Sequence, residues 1–239
     1  MACSPHNRPT VSLTPLPSRA AHIRLLVAAA ACLGLWLSGL PAALGWDFER
    51  LQQLLTSRFG QNQVSLLHEW QKVVGEGRGL SETDKLKRVN DFFNRRIAFD
   101  DDISVWGQSD YWATPIELIG QGRGDCEDYS IAKYYSLLEL GIPINKLRLV
   151  YVKAAQSSLG TTIQIAHMVL AYYPTPTADP IILDNLNPNL VPASQRGDLL
   201  PIFSFNGAGL WMGTGNTSSK SNLSRWQDLL ARARAEGFQ

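Results

Sequence analysis

The sequence predicts an α+β domain. Helical periodicity fills its first half, strand-like segments fill the second, and a last helical pattern closes the chain. The period changes at Gly141 and Pro143, two residues that stop a helix. The β-branched and aromatic runs that follow are separated by turn residues, as antiparallel strands require.

The chain opens with a segment carrying Arg8, Arg19 and Arg24 and no acid, then the apolar run "LLVAAAACLGLWLSGL" at 25–40, then small residues at Ala43 and Gly45. This order of basic, apolar and small residues predicts a secretory signal peptide over residues 1–45, cleaved near 45/46. The rival reading is an uncleaved inner-membrane anchor, for which the run from Leu25 to Gly45 is barely long enough. Residues 46–239 then form one domain with 19 basic and 21 acidic residues. Such a chain is expected outside the cytoplasm, and its balance of charge excludes a basic field for nucleic acid.

The elements of that domain follow in order. "FERLQQLLTSRFG" places Phe48, Leu51, Leu54 and Leu55 on one helical face, and "VSLLHEWQKVV" repeats the pattern with Val64, Leu67, Trp70 and Val74. "GEGRG" at 75–79 reads as a turn. Ser81 and Asp84 then cap a third helix carrying Leu86, Val89 and Phe93. Residues 98–115 read as a loop, "TPIELIGQGRG" as a short helix and glycine-rich turn, and 125–140 as a helix. Strands are expected at 146–154, 163–173, 180–186 and 200–206, and a closing helix starts after a cap at Asn222 or Ser224.

Once residues 1–45 are set aside, Cys126 is the single cysteine, so it has no partner for an internal disulfide. It sits in "GRGDCEDYSIAK" at the start of a helix, where unpaired N–H groups and the helix dipole favour a thiolate. Two histidines remain. His68 reads as a helix-surface or packing residue, whereas His167 lies within the strand "IQIAHMVLAYY". A hairpin centred between Thr175 and Pro176 places His167 opposite Asp184, close enough for the carboxylate to orient the imidazole. Helix-start cysteine, strand histidine and next-strand aspartate, in that order, follow the arrangement of papain-like and transglutaminase-like cores.

"DDISVWGQSDYWATPIELIGQG", "GRGDCEDYSIAKYYSLLELGIP", "AHMVLAYY" and "IILDNLNP" together resemble the bacterial transglutaminase-like cysteine proteinases, the periplasmic LapG-type proteases among them. The resemblance implies a papain/transglutaminase-like core, with a helical N-terminal lobe packed on an antiparallel sheet and the cysteine helix at its centre. It implies Cys126 as nucleophile, His167 as general base and acid, and Asp184 as the group that orients the histidine. It further implies Ca2+ as cofactor with Asp125 and Glu127 as ligands. The implied protein substrate is a large surface adhesin cut near its N-terminus, which controls biofilm attachment. The implied partner is an inner-membrane cyclic-di-GMP receptor that sequesters the protease.

The residues themselves leave alternatives open. Asp125 and Asp128 have the spacing of an N-cap pair, and Glu127 in the first turn suits the helix dipole, so all three acids fit helix capping as well as calcium. Asp101 and Asp102 read as a solvated loop or as further ligands. The Cys126 backbone N–H is the natural first oxyanion donor, with the Trp112 indole as a candidate second. A transglutaminase-type acyl transferase keeps the same three residues. A calcium-binding interaction module without catalysis keeps only the acids, and a Cys/His peptidoglycan hydrolase is a fourth class.

Overall fold

The computed structural model describes residues 45–158, 160–213, 218–219 and 223–238. The predicted signal segment lies outside them apart from Gly45. Three helices lead: α1 (Phe48–Phe59), α2 (Val64–Gly77) and α3 (Glu82–Arg96). Asp47 caps α1 through the Arg50 N–H, and Ser81 caps α3 through the Asp84 N–H, the second cap being the one the sequence predicts. Residues 75–77, read as part of a turn, continue α2, and Gly77 is buried against Leu140.

The segment expected to be a loop carries two short elements, strand β1 (Ala98–Phe99) and helix α4 (Asp102–Trp106). Asp101 accepts from the Ser104 N–H at 2.8 Å and caps α4, while Asp100 accepts from Arg123 at 2.8 Å. After α5 (Pro115–Gln121), Gly122 takes φ 68°, the left-handed conformation that ends a helix. Strand β2 (Arg123–Gly124) then pairs in parallel with β1, Ala98 beside Arg123 and Phe99 beside Gly124. This pairing sets the run after Phe99 next to the residues that enter α6 (Cys126–Glu139).

Helix α6 is buried on almost every side, from Asp128 to Leu137. An amphipathic pattern is weak in such a helix because no face meets water. Trp70 of α2, fully buried, donates its indole N–H to Ser136 Oγ at 2.9 Å, and Ser130 Oγ donates to the Met168 carbonyl at 3.1 Å. The helix is thereby fixed to the N-terminal lobe on one side and to the sheet on the other.

The sheet is antiparallel and seven-stranded, in the order β6-β5-β4-β3-β7-β8-β9. Its strands are β3 (Leu147–Ser158), β4 (Thr161–Tyr172), β5 (Ile181–Leu183), β6 (Val191–Pro192), β7 (Leu199–Asn206), β8 (Gly209–Met212) and β9 (Ser218–Ser219). Strands β6, β8 and β9 are additions to the expected set, and β8 is formed by the Trp211 stretch, where Arg148 Cζ sits 4.1 Å from the indole centre. Met168, Leu170 and Tyr172 of β4 enter the main core under α6, while Val169 and Ala171 enter a smaller cluster on the opposite face.

The closing helix α7 (Ser224–Glu236) buries Trp226, Leu229 and Ala233. Leu223 occupies its cap position and Ser224 is its first residue, so the predicted Ser224 cap is not formed; Asn222 lies outside the described residues. Arg232 of α7 donates to Glu117 at 2.6 Å and to the Trp112 carbonyl at 2.7 Å, holding the 111–117 segment against the core. Because Trp70 is both a large buried ring and the donor to Ser136, Trp70→Ala is expected to cost about 3–5 kcal/mol in urea unfolding, with a lowered midpoint as the readout.

Candidate active site

Asp184 follows the last residue of β5, and its side chain is fully buried. His167 Nε2 lies 2.8 Å from Asp184 Oδ1, which also accepts from the Leu186 N–H at 2.9 Å. Arg196 Nη2 donates to Asp184 Oδ2 at 2.8 Å. Burial pushes the Asp184 carboxyl up, but the bonds from His167, Leu186 and Arg196 outweigh it and hold the group below the usual range. An ionised Asp184 requires a proton on His167 Nε2, which leaves Nδ1 as the basic ring atom.

The expected strand register needs correction. Leu170 pairs with Leu183 and Ala171 with Ile182, two residues away from the predicted alignment, and the ladder ends there, so Asp184 is not directly opposite His167, whose ladder partner on the other side is Val152 of β3. A shift of two residues preserves the face on which a side chain stands, whereas a shift of one would reverse it. His167 and Asp184 therefore remain on one face and meet diagonally.

Cys126 is the first residue of α6 and Asp125 its cap, as the spacing predicts. Gly124 precedes them because a Cβ there would strike the Asp128 carboxylate and Leu118. Asp128 Oδ1 accepts from the Ala113 N–H at 2.7 Å and Oδ2 from the Asp125 N–H at 3.4 Å, the second bond being the reach-back half of a capping box. The Cys126 thiol donates to Glu127 Oε2 at 2.8 Å. Burial and the neighbouring Glu127 and Asp125 push the thiol well above its ordinary pKa, against a smaller opposing pull from the Met168 amide. Burial, with the acids added to it, outweighs the help expected from the helix end.

Those acids form one group. Asp102, Asp110 and Glu127 offer oxygens within 4.8 Å of one another, as do Asp102, Asp125 and Asp128. Asp102 is buried, Oδ2 accepting from the Tyr111 N–H at 2.5 Å while Oδ1 has no partner; Asp125 Oδ1 is also buried and unpaired. Burial raises Asp102 to about 6 and, with the charges of Glu127 and Asp128, raises Asp125 to about 9. Unpaired buried carboxylate oxygens in an all-oxygen cluster fit a hard cation such as calcium. The reading of Asp102 as a solvated loop residue does not hold.

Cys126 and His167 open on one cleft of about 630 Å³, walled by Trp112, Tyr151 and Phe203. The Trp112 ring stacks on Phe205 at 5.5 Å, and Tyr111 donates to Glu117. His68 is on the surface, 2.8 Å from Gln52 Oε1. Lys133 of α6 is buried with Nζ 5.7 Å from the Tyr129 ring, and burial lowers its pKa to about 7 against the opposing Asp184 charge. Asp110 and Arg196 are residues that the sequence reading missed. Asp110 sits in "GQSDYW", within a stretch that carries the family resemblance, but nothing in its spacing singles it out as a ligand, and the "ASQRGD" stretch around Arg196 carries no periodic or motif signal.

The fold and this cleft define a cysteine-dependent enzyme of the transglutaminase-like class. The chain belongs to the bacterial transglutaminase-like cysteine proteinases (BTLCP), whose family model matches residues 73–198, and it is a cysteine peptidase. It is similar to calcium-bound LapG of Legionella pneumophila at 36% identity, over 78% of this chain and 99% of that one, with a TM-score of 0.66. EGTA-treated LapG of the same organism matches at 34% identity over 79% and 98% of the two chains, also at 0.66. No curated protein matches the chain.

The Asp102 shift has a testable sign. A carboxyl raised from 3.8 to about 6 favours the folded state fully below pH 4 and loses that contribution as pH rises to 6. In chelator, Asp102→Asn is therefore expected to stabilise the protein by about 3 kcal/mol at pH 7 and to change nothing below pH 4. Urea unfolding at the two pH values reads the difference.

Proposed function

We propose that this chain is a periplasmic, calcium-dependent cysteine endopeptidase that cuts a large surface adhesin near its N-terminus. The observation that carries the reading is the shared cleft: Cys126 and His167 face it together, and behind His167 stands Asp184, fixed by three bonded partners. Membership of the peptidase family supports the reaction type, and the calcium-bound and EGTA-treated LapG structures support the metal. The predicted export segment supports the compartment. Sequestration by an inner-membrane cyclic-di-GMP receptor belongs to the same reading.

In this mechanism His167 Nδ1 takes the Cys126 proton, and the thiolate attacks the scissile carbonyl. The oxyanion accepts a bond from the Cys126 backbone N–H, one of the unpaired donors at the start of α6, with the Trp112 indole as second donor. Collapse expels the amine, which takes its proton from His167, and leaves a thioester on Cys126. Water, giving its proton to His167, hydrolyses the thioester and frees the acid. Asp184 holds the ring in place throughout and stabilises the imidazolium each time His167 takes a proton. Asp125 and Glu127, with Asp102, Asp110 and Asp128 beside them, are the residues that would hold calcium. The ion supplies positive charge that offsets the acids and favours the thiolate.

The test incubates the protein with the N-terminal fragment of a candidate adhesin from the same genome and follows cleavage on a gel. Cys126→Ala is expected to abolish cleavage, and His167→Ala to lower kcat by about 10²–10⁴-fold. EGTA is expected to suppress cleavage and to slow iodoacetamide labelling of Cys126 at pH 7, with calcium restoring both. Cleavage that persists in Cys126→Ala would overturn the nucleophile assignment. Cleavage indifferent to EGTA would return the acids to helix capping alone.

A further inference from the structure

Strand β4 is paired with β3 along all twelve of its residues, but with β5 only at Leu170, Ala171 and Tyr172. The direction of each backbone group on β4 follows from its ladder. The Tyr173 N–H donates to the Lys146 carbonyl at 2.8 Å, so odd-numbered residues turn their backbone groups toward β3 and even-numbered residues turn theirs outward. Met168 obeys this rule. Its outward carbonyl accepts from Ser130 Oγ at 3.1 Å, and its outward amide faces the Cys126 sulfur. The next outward sets belong to Ala166, Gln164 and Thr162. Among the described residues, none of the three has a backbone partner on that side.

An open edge is ordinarily protected by charge, proline or a bulge. Residues 161–166 read "TTIQIA", with neither charge nor proline, and they pair with β3 without a register shift. Ile163 is 54% exposed, and Ala166 lines the cleft together with Cys126 and His167. The outward groups of Ala166 lie about 7 Å along the strand from those of Met168. A chain hydrogen-bonded there runs directly into the thiol.

We infer that the polypeptide substrate docks as an added strand on the outer edge of β4, bonded to the backbone of Ala166, Gln164 and Thr162, and so presents an extended segment to Cys126. The inference rests on the reading of Cys126 as the nucleophile. Backbone bonds of this kind supply affinity with little demand on sequence, and selection falls to the side chains that alternate into the cleft. The substrate site is accordingly an unstructured segment at least several residues long, not a folded loop.

Two measurements test it, with the adhesin fragment as probe. Gln164→Pro removes one outward donor while leaving the β3 ladder intact, and is expected to raise KM about tenfold with a smaller change in kcat; its thermal midpoint reports whether it folds. Independently, hydrogen exchange on Cys126→Ala protein with the fragment added is expected to slow at Thr162, Gln164 and Ala166. Ile163 and Ile165, already bonded to β3, should be unaffected. Normal KM in folded Gln164→Pro together with unprotected even-numbered amides overturns the edge while leaving the peptidase. Protection without cleavage by the wild-type protein keeps the edge and overturns the nucleophile reading. Neither cleavage nor protection overturns both.

Discussion

Mutual repulsion among the acids at the start of α6 is the constraint around which the site is arranged. Asp125, Glu127 and Asp128 arrive with the helix, and Asp102 and Asp110 are brought to them by the preceding segment. Each buried carboxylate in such a group costs free energy unless donors or a cation face it. The chain meets part of that demand with backbone amides. Ala113 and Asp125 donate to Asp128, and Tyr111 donates to Asp102. The rest remains unmet in the oxygens of Asp102 and Asp125 that have no partner. The thiol shares the same field, so its reactivity and the charge state of the acids are one variable.

The opposite wall of the cleft solves a different problem, that of holding a charged group in a dry place. Asp184 is ionised inside the protein because three donors face it, and Arg196 in turn is neutralised by Asp198, 2.7 Å away and partly open to solvent. The order Asp198, Arg196, Asp184, His167 thus carries charge compensation from the surface to the imidazole. A carboxylate fixed on both oxygens cannot rotate, and neither can the ring it bonds. The Asn94 side chain adds a bond to the Asp184 backbone carbonyl at 2.8 Å, which ties this wall to α3.

Helix α6 connects the two walls. It starts among the acids, bonds β4 through Ser130 and bonds α2 through Ser136. Its first residue meets β4 beyond the end of the β5 ladder, where, among the described residues, no strand pairs with the outer side, which makes the sheet edge and the cleft a single surface.

Much of this was legible in the sequence. The first three helices, the capped start of α6 and the principal strands rest on short-range periodicity and on caps that act within one turn, so linear spacing was enough to find them. The approach of His167 to Asp184 was legible because the period-two alternation of strands survives an even error in register, and the predicted hairpin was displaced by two residues. Asp110 and Arg196 were not, and Asp102 was legible only as one of two readings, a solvated loop residue or a further ligand. Asp102 reaches the acid group because β1 pairs in parallel with β2, a contact across more than twenty residues of chain that no local pattern encodes. Arg196 meets Asp184 only after the chain has passed through β6 and a short turn. The sequence by itself determined the main helices, the long strands and the cap at the start of α6, since those depend on neighbours along the chain. The tertiary structure alone decided how many acids share the thiol's field, what holds Asp184 and where the β5 ladder stops along β4, since electrostatics and backbone pairing depend on distance in space.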